Sequence, residues 1–142
     1  MGAPEARPEI RAVLDHTALQ SYARGHVHVG ELFGEVTAED NGVVAIPSVA
    51  LLEAHAREMD DPQARALLNY MVTLPGAMVL DLDLATAPEA AGYVRTMRGN
   101  LARAHAAWAA AAHRALCFTT EPDAYPNQVL ADQVVAIPTT DR

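Results

Sequence analysis

Short apolar runs alternate along this chain with longer stretches of helical spacing. Residues 10–15 (IRAVLD), 43–46 (VVAI), 77–80 (AMVL), 115–118 (ALCF) and 133–137 (QVVAI) read as buried strands, bounded by polar or turn-forming residues. Between them lie the helical segments. Residues 16–25 (HTALQSYARG) follow the first strand, with Gly25 as the stop. Residues 28–39 place Val29, Leu32, Phe33 and Val36 at helical intervals, and Asn41-Gly42 breaks the pattern. Pro47 excludes helix before it, and Ser48 stands where an N-cap would open the next helix. Asp61-Pro62 opens another, which runs to Leu74 and is stopped by Pro75-Gly76. A further helix is expected over residues 88–97. After the Arg98-Gly99 break, Asn100 can cap an Ala-rich helix that continues to His113.

Strands that are apolar throughout, alternating with helices, imply a parallel sheet covered on both faces. The expectation is a three-layer α/β/α domain with a five-stranded parallel sheet over residues 11–142, behind a flexible Pro-rich leader at residues 1–10. A 142-residue chain buries roughly 68–70% of its unfolded surface, enough for its own core. Hydrophobic residues make up 51% and aromatics only 5%, so that core is mostly Ala, Val and Leu. The formal charge of -8 argues against broad electrostatic binding of nucleic acid. Every basic residue is Arg, the better phosphate clamp, although a GC-rich genome favours the same choice. Cys117 lies inside an apolar run and reads as a structural thiol. The first residues carry no apolar signal core, and no run is long enough for a membrane span, which by elimination suggests a cytoplasmic protein.

Several polar side chains fall where the strands end. Asp15 closes the first strand, Glu53 lies early in the helix after the second, and Thr119, Thr120, Glu121 and Asp123 follow the fourth. Open parallel sheets bind ligands beyond the carboxyl ends of their strands, and gathered oxygen ligands suit a hard divalent cation. Each residue also has a purely structural reading. Asp15 suits a helix N-terminus, Glu-Pro-Asp is ordinary turn chemistry, and Asn100 is a good N-cap.

In their order and spacing, the segments VLDHTAL, IPSVALLEA, LDLDLATAPEAAGYV and NLARAHAAWAAAAHRALCFTTEPDAY resemble the PIN-domain nucleases, above all the VapC-type toxins of toxin–antitoxin pairs. The resemblance covers residues 11–137 and implies the strand order 3-2-1-4-5. It also implies Mg²⁺- or Mn²⁺-dependent hydrolysis of RNA phosphodiesters. The family's first two acids would be Asp15 and Glu53, its third would fall on Asn100, and its fourth on Glu121 or Asp123. Metal would be held by Asp15, Glu53 and Glu121 or Asp123, with Thr17, Thr119, Arg95, Arg98 and Arg103 beside the substrate. A homodimer and an antitoxin partner are implied as well, with the helices at residues 28–39 and 61–74 as candidate surfaces. Two residues depart from the pattern: His16 stands where the family often has a small hydroxyl residue, and Asn100 is an uncharged amide. The amide preserves a cap while weakening a metal site, so a degenerate nuclease serving as an RNA-binding or protein-interaction module is the alternative.

Other motifs are weaker. His26 and His28 lack supporting cysteines for a transition-metal site. Asp81 and Asp83 in VLDLDLAT match the Asp-x-Asp of haloacid-dehalogenase-like phosphatases only in part, since Ala85 replaces the expected Thr.

Overall fold

Strand β1 (Glu9–Leu14) sits at the centre of the sheet, and its last three residues, Ala12, Val13 and Leu14, are fully buried. The computed structural model describes residues 7–139, so residues 1–6 of the expected leader and residues 140–142 lie outside the described residues. After β1 come α1 (His16–Ala23), α2 (His28–Thr37), β2 (Gly42–Pro47), α3 (Ser48–Arg57), α4 (Pro62–Met71), β3 (Ala77–Leu80) and α5 (Thr86–Ala91). The chain continues through α6 (Leu101–His113), β4 (Leu116–Thr119), α7 (Asn127–Leu130) and β5 (Val134–Ala136). All strand pairs are parallel, and the order is β3-β2-β1-β4-β5. The expected three-layer α/β/α architecture is therefore the observed one.

The period of two along the strands divides the core. Ala12, Leu14, Val44 and Ile46 face α1–α4, where Leu19, Leu68 and Met71 are fully buried. Val13, Ala45 and Cys117 face the other way, onto Ala104, Ala106, Ala107, Ala109 and Ala110 of α6. Each large aliphatic side chain buried here contributes about 1.5–3 kcal/mol relative to exposure. The alanines of α6 contribute less each, but they let the helix lie close to the sheet and favour helix intrinsically. The sheet edges are short strands, three residues in β5 and four in β3, which limits the unpaired backbone they present.

Several boundaries differ from the pattern reading. β1 begins at Glu9, inside the expected leader, where the Glu9 N–H donates to the Asn41 carbonyl at 2.7 Å. Ser48 is the first helical residue of α3 rather than its cap; Pro47 takes the cap position without a side-chain hydrogen bond. α4 stops at Met71, three residues short of Leu74. The helix expected over residues 88–97 starts at Thr86, because Asp83 Oδ1 accepts from the Thr86 N–H at 2.7 Å and from its hydroxyl at 2.5 Å. It ends at Ala91, and turns carry the chain to Gly99. Gly76, at φ +85, closes the turn before β3, and a Cβ there would lie 2.2 Å from Cγ2 of Thr37.

Candidate functional site

Because the sheet is parallel, the ends of β1, β2 and β4 bring Asp15, α3 and the loop after Thr119 to one edge. Asp15 is the hub of that edge and is fully buried. It is the N-cap of α1: Oδ1 accepts from the Ala18 N–H at 3.0 Å and from the Thr17 hydroxyl at 2.6 Å. Its second oxygen, Oδ2, accepts from the Tyr125 hydroxyl at 2.8 Å. Thr17 spends its only proton on Asp15, so it accepts from the Thr119 hydroxyl at 3.1 Å and from the Thr120 N–H at 2.9 Å. Thr119 in turn accepts from the Glu121 N–H at 3.0 Å. A directed chain of donors thus runs from the β4 loop to the Asp15 carboxylate, and it ties α1 to β4.

The remaining acids are placed around this hub with partners of their own. Glu53 is half-buried and accepts from Nε of Arg57, one turn later on α3, at 2.8 Å. Asn100 caps α6, its Oδ1 accepting from the Arg103 N–H at 2.8 Å, so the capping role read from the sequence holds. Glu121 is exposed and lies 3.6 Å from the Arg103 guanidinium. Asp123 is exposed in a single 3-10 turn, Pro122–Ala124. Two hollows open at the edge. One of about 480 Å³ gathers Glu53, Asn100 and Arg98 with Val49, Leu52 and Leu101. The other, of about 190 Å³, gathers Thr17, Ser21, Arg24, Arg57 and Glu121. Glu53 and Asn100 therefore share one hollow and Glu121 lines the other, with Asp15 buried and lining neither. Of the arginines expected beside substrate, Arg95 and Arg98 are exposed, whereas Arg103 is buried.

Tyr125 is the residue whose importance the sequence concealed, and Arg103, expected beside substrate, is instead buried against it. The Arg103 guanidinium carbon lies 5.6 Å from the centre of the Tyr125 ring, and Tyr125 donates to Asp15 from the same ring. Arg103 is only 9% exposed, and its Nε has no hydrogen-bond partner among the described residues. Burial, and then the Asp15 charge, push the Tyr125 phenol well above its ordinary range, so it remains a donor at neutral pH. His16 is also buried. Its pKa lies below the ordinary imidazole value, chiefly from burial; Asp15 opposes the shift, while Arg103 and Arg57 reinforce it. Burial and the Asp15 charge push the Cys117 thiol up to about 12, which fits the structural role expected of it.

These residues do not fit Mg²⁺ or Mn²⁺. A hard cation needs several oxygens with lone pairs free to turn toward it. Asp15 already accepts from three donors, Asn100 directs its oxygen at the helix it caps, and Glu53 and Glu121 each face an arginine. Among the described residues, no three His, Cys, Asp or Glu side chains are grouped as metal ligands.

No protein-family model matches the chain, and no curated protein matches it. Among the described residues, no helix is long and apolar enough to cross a membrane.

Proposed function

We propose that this chain is a PIN-like domain that keeps the architecture of a metal-dependent ribonuclease and works by binding, as a cytoplasmic protein-interaction module. The observation that carries this reading is the structural use of Asp15, whose two oxygens accept from Thr17, Ala18 and Tyr125 inside the protein and so fill three of a carboxylate's roughly four lone-pair sites. A carboxylate so used holds α1, β4 and the following loop together.

Protein is favoured over RNA as the ligand by what surrounds the edge. Leu52 and Leu101 are 68% and 63% exposed at the rim of the larger hollow, and Leu82 shares an adjoining apolar groove with Val49, Leu101 and Val94. A net charge of -8 adds no general attraction for a polyanion. Exposed leucines gathered at one rim are the kind of surface that a protein segment covers.

A second reading, the metal-dependent ribonuclease, draws support from the placement of Asp15, Thr17 and Thr119 at the carboxyl ends of β1 and β4. One pair of experiments separates the two. Purified protein incubated with mixed-sequence RNA and Mn²⁺ should cleave no faster than Asp15→Ala. A photo-crosslinking residue at position 101, in cells that make the protein naturally, should yield a discrete protein adduct that the same residue at Tyr70, on α4, does not. Cleavage that depends on Asp15 would replace the module reading by the nuclease one, and an RNA adduct without such cleavage would make RNA rather than protein the module's ligand.

A further inference from the structure

We infer that Arg103 is the built-in cation of the carboxylate edge, occupying by covalent attachment the electrostatic role that a divalent ion would fill among acids placed this way. The inference rests on the module reading and names the residue that makes the site independent of metal.

Geometry carries it. Asn100 fixes the first turn of α6 by accepting from the Arg103 N–H, and this sets where the Arg103 side chain leaves the helix. The side chain then runs inward, 11% exposed, to lie over the Tyr125 ring whose hydroxyl is bonded to Asp15. Its outer end reaches Glu121, and its Nε is buried without a hydrogen-bond partner among the described residues. A buried guanidinium is tolerated only where acids and aromatic faces surround it. Glu121, 3.6 Å away, and the Tyr125 ring, whose hydroxyl is bonded to Asp15, supply that surrounding. The Arg103 charge is also felt at His16 and at Cys117, so it acts on the interior of the edge as well as on its rim. Unlike a bound ion, a tethered guanidinium cannot dissociate, and it exposes no coordination position to water or substrate. The same residue that neutralises the edge therefore closes it to metal chemistry.

The test compares wild type with Arg103→Lys, Arg103→Met and Arg103→Asp in melting experiments on chelator-treated protein. Each is run with millimolar Mn²⁺ and with a monovalent salt of matched ionic strength. Wild type and Arg103→Lys should melt at the same temperature with and without Mn²⁺. Arg103→Met and Arg103→Asp should melt lower in metal-free buffer; losing the guanidinium frees Glu121, and the Asp variant adds a second carboxylate near it, so Mn²⁺ should restore part of the loss, more for Asp than for Met. If Arg103→Asp fails to fold without metal, Arg103→Met carries the comparison. Absence of any Mn²⁺ response in both charge-removing variants, or an equal response in wild type, would overturn the inference. Its failure is distinguishable from that of the module reading, which is decided by RNA cleavage and crosslinking of the wild-type protein.

Discussion

Replacing Tyr125 by Phe removes one hydroxyl from the centre of the candidate site and leaves the ring in place. Phe keeps the packing surface and the face over which Arg103 lies, so the change isolates the bond to Asp15 Oδ2. Both residues are almost entirely buried, and Tyr125 is the hydrogen-bond donor to Oδ2. A hydrogen bond to a charged group is worth about 1.5–3 kcal/mol, and leaving its buried acceptor unpaired costs a similar amount. For a chain of 142 residues the unfolding entropy is about 0.3 kcal/mol per degree, so the melting temperature should fall by about 5–10 °C. Thermal or urea unfolding followed by far-ultraviolet circular dichroism reads this directly, with the urea slope unchanged if the native state stays intact. Because Arg103 remains, Mn²⁺ should recover none of the loss. A melting temperature within about 1 °C of wild type, or above it, would refute the view that Asp15 is closed by Tyr125.

Three further outcomes follow from individual contacts. Asn100→Asp keeps the cap on α6 and adds a negative charge at a helix N-terminus, so stability should hold or rise by about 0.3–1 kcal/mol while calorimetry detects no gain in Mn²⁺ affinity. Burial lowers the His105 pKa below its ordinary 6.5, so the unfolded chain takes up the proton first. The stability this neutral imidazole contributes is present above pH 6.5 and is lost as pH falls through the lower folded value, so His105→Asn should flatten the fall in melting temperature between pH 7 and pH 5. His16 and His55 are shifted the same way and should leave a residual slope. Gly76→Ala should destabilise by more than 1 kcal/mol, roughly, since it adds left-handed strain and a contact with Thr37; an unchanged denaturation midpoint would count against the turn geometry.

The layers were legible because the strands are short, mostly apolar runs and the breaks between elements are marked by Gly, Pro and Asn, whereas the strand order came from the resemblance to PIN-domain nucleases. Asp15 and Asn100 were legible as caps for the same local reason. Arg103 was expected beside substrate, and its burial was hidden by the helix that carries it. α6 is so rich in alanine that no polar face shows which side turns inward, and an arginine on such a helix reads as solvated. Tyr125 was hidden by distance. Its partner Asp15 lies 110 positions earlier, and only the meeting of β1 with β4 brings them together. The early start of α5 was missed because it depends on Asp83 accepting from Thr86, a local bond that overrides the weaker signal of Pro88.

The claim that the carboxylate edge carries its own cation is tested most directly by counting free Mn²⁺. Titrating Mn²⁺ into chelator-treated wild-type protein and reading the electron paramagnetic resonance of the free ion should show every added equivalent remaining free at micromolar concentrations. Loss of about one equivalent of signal in wild type, abolished by Asp15→Ala, would contradict the account.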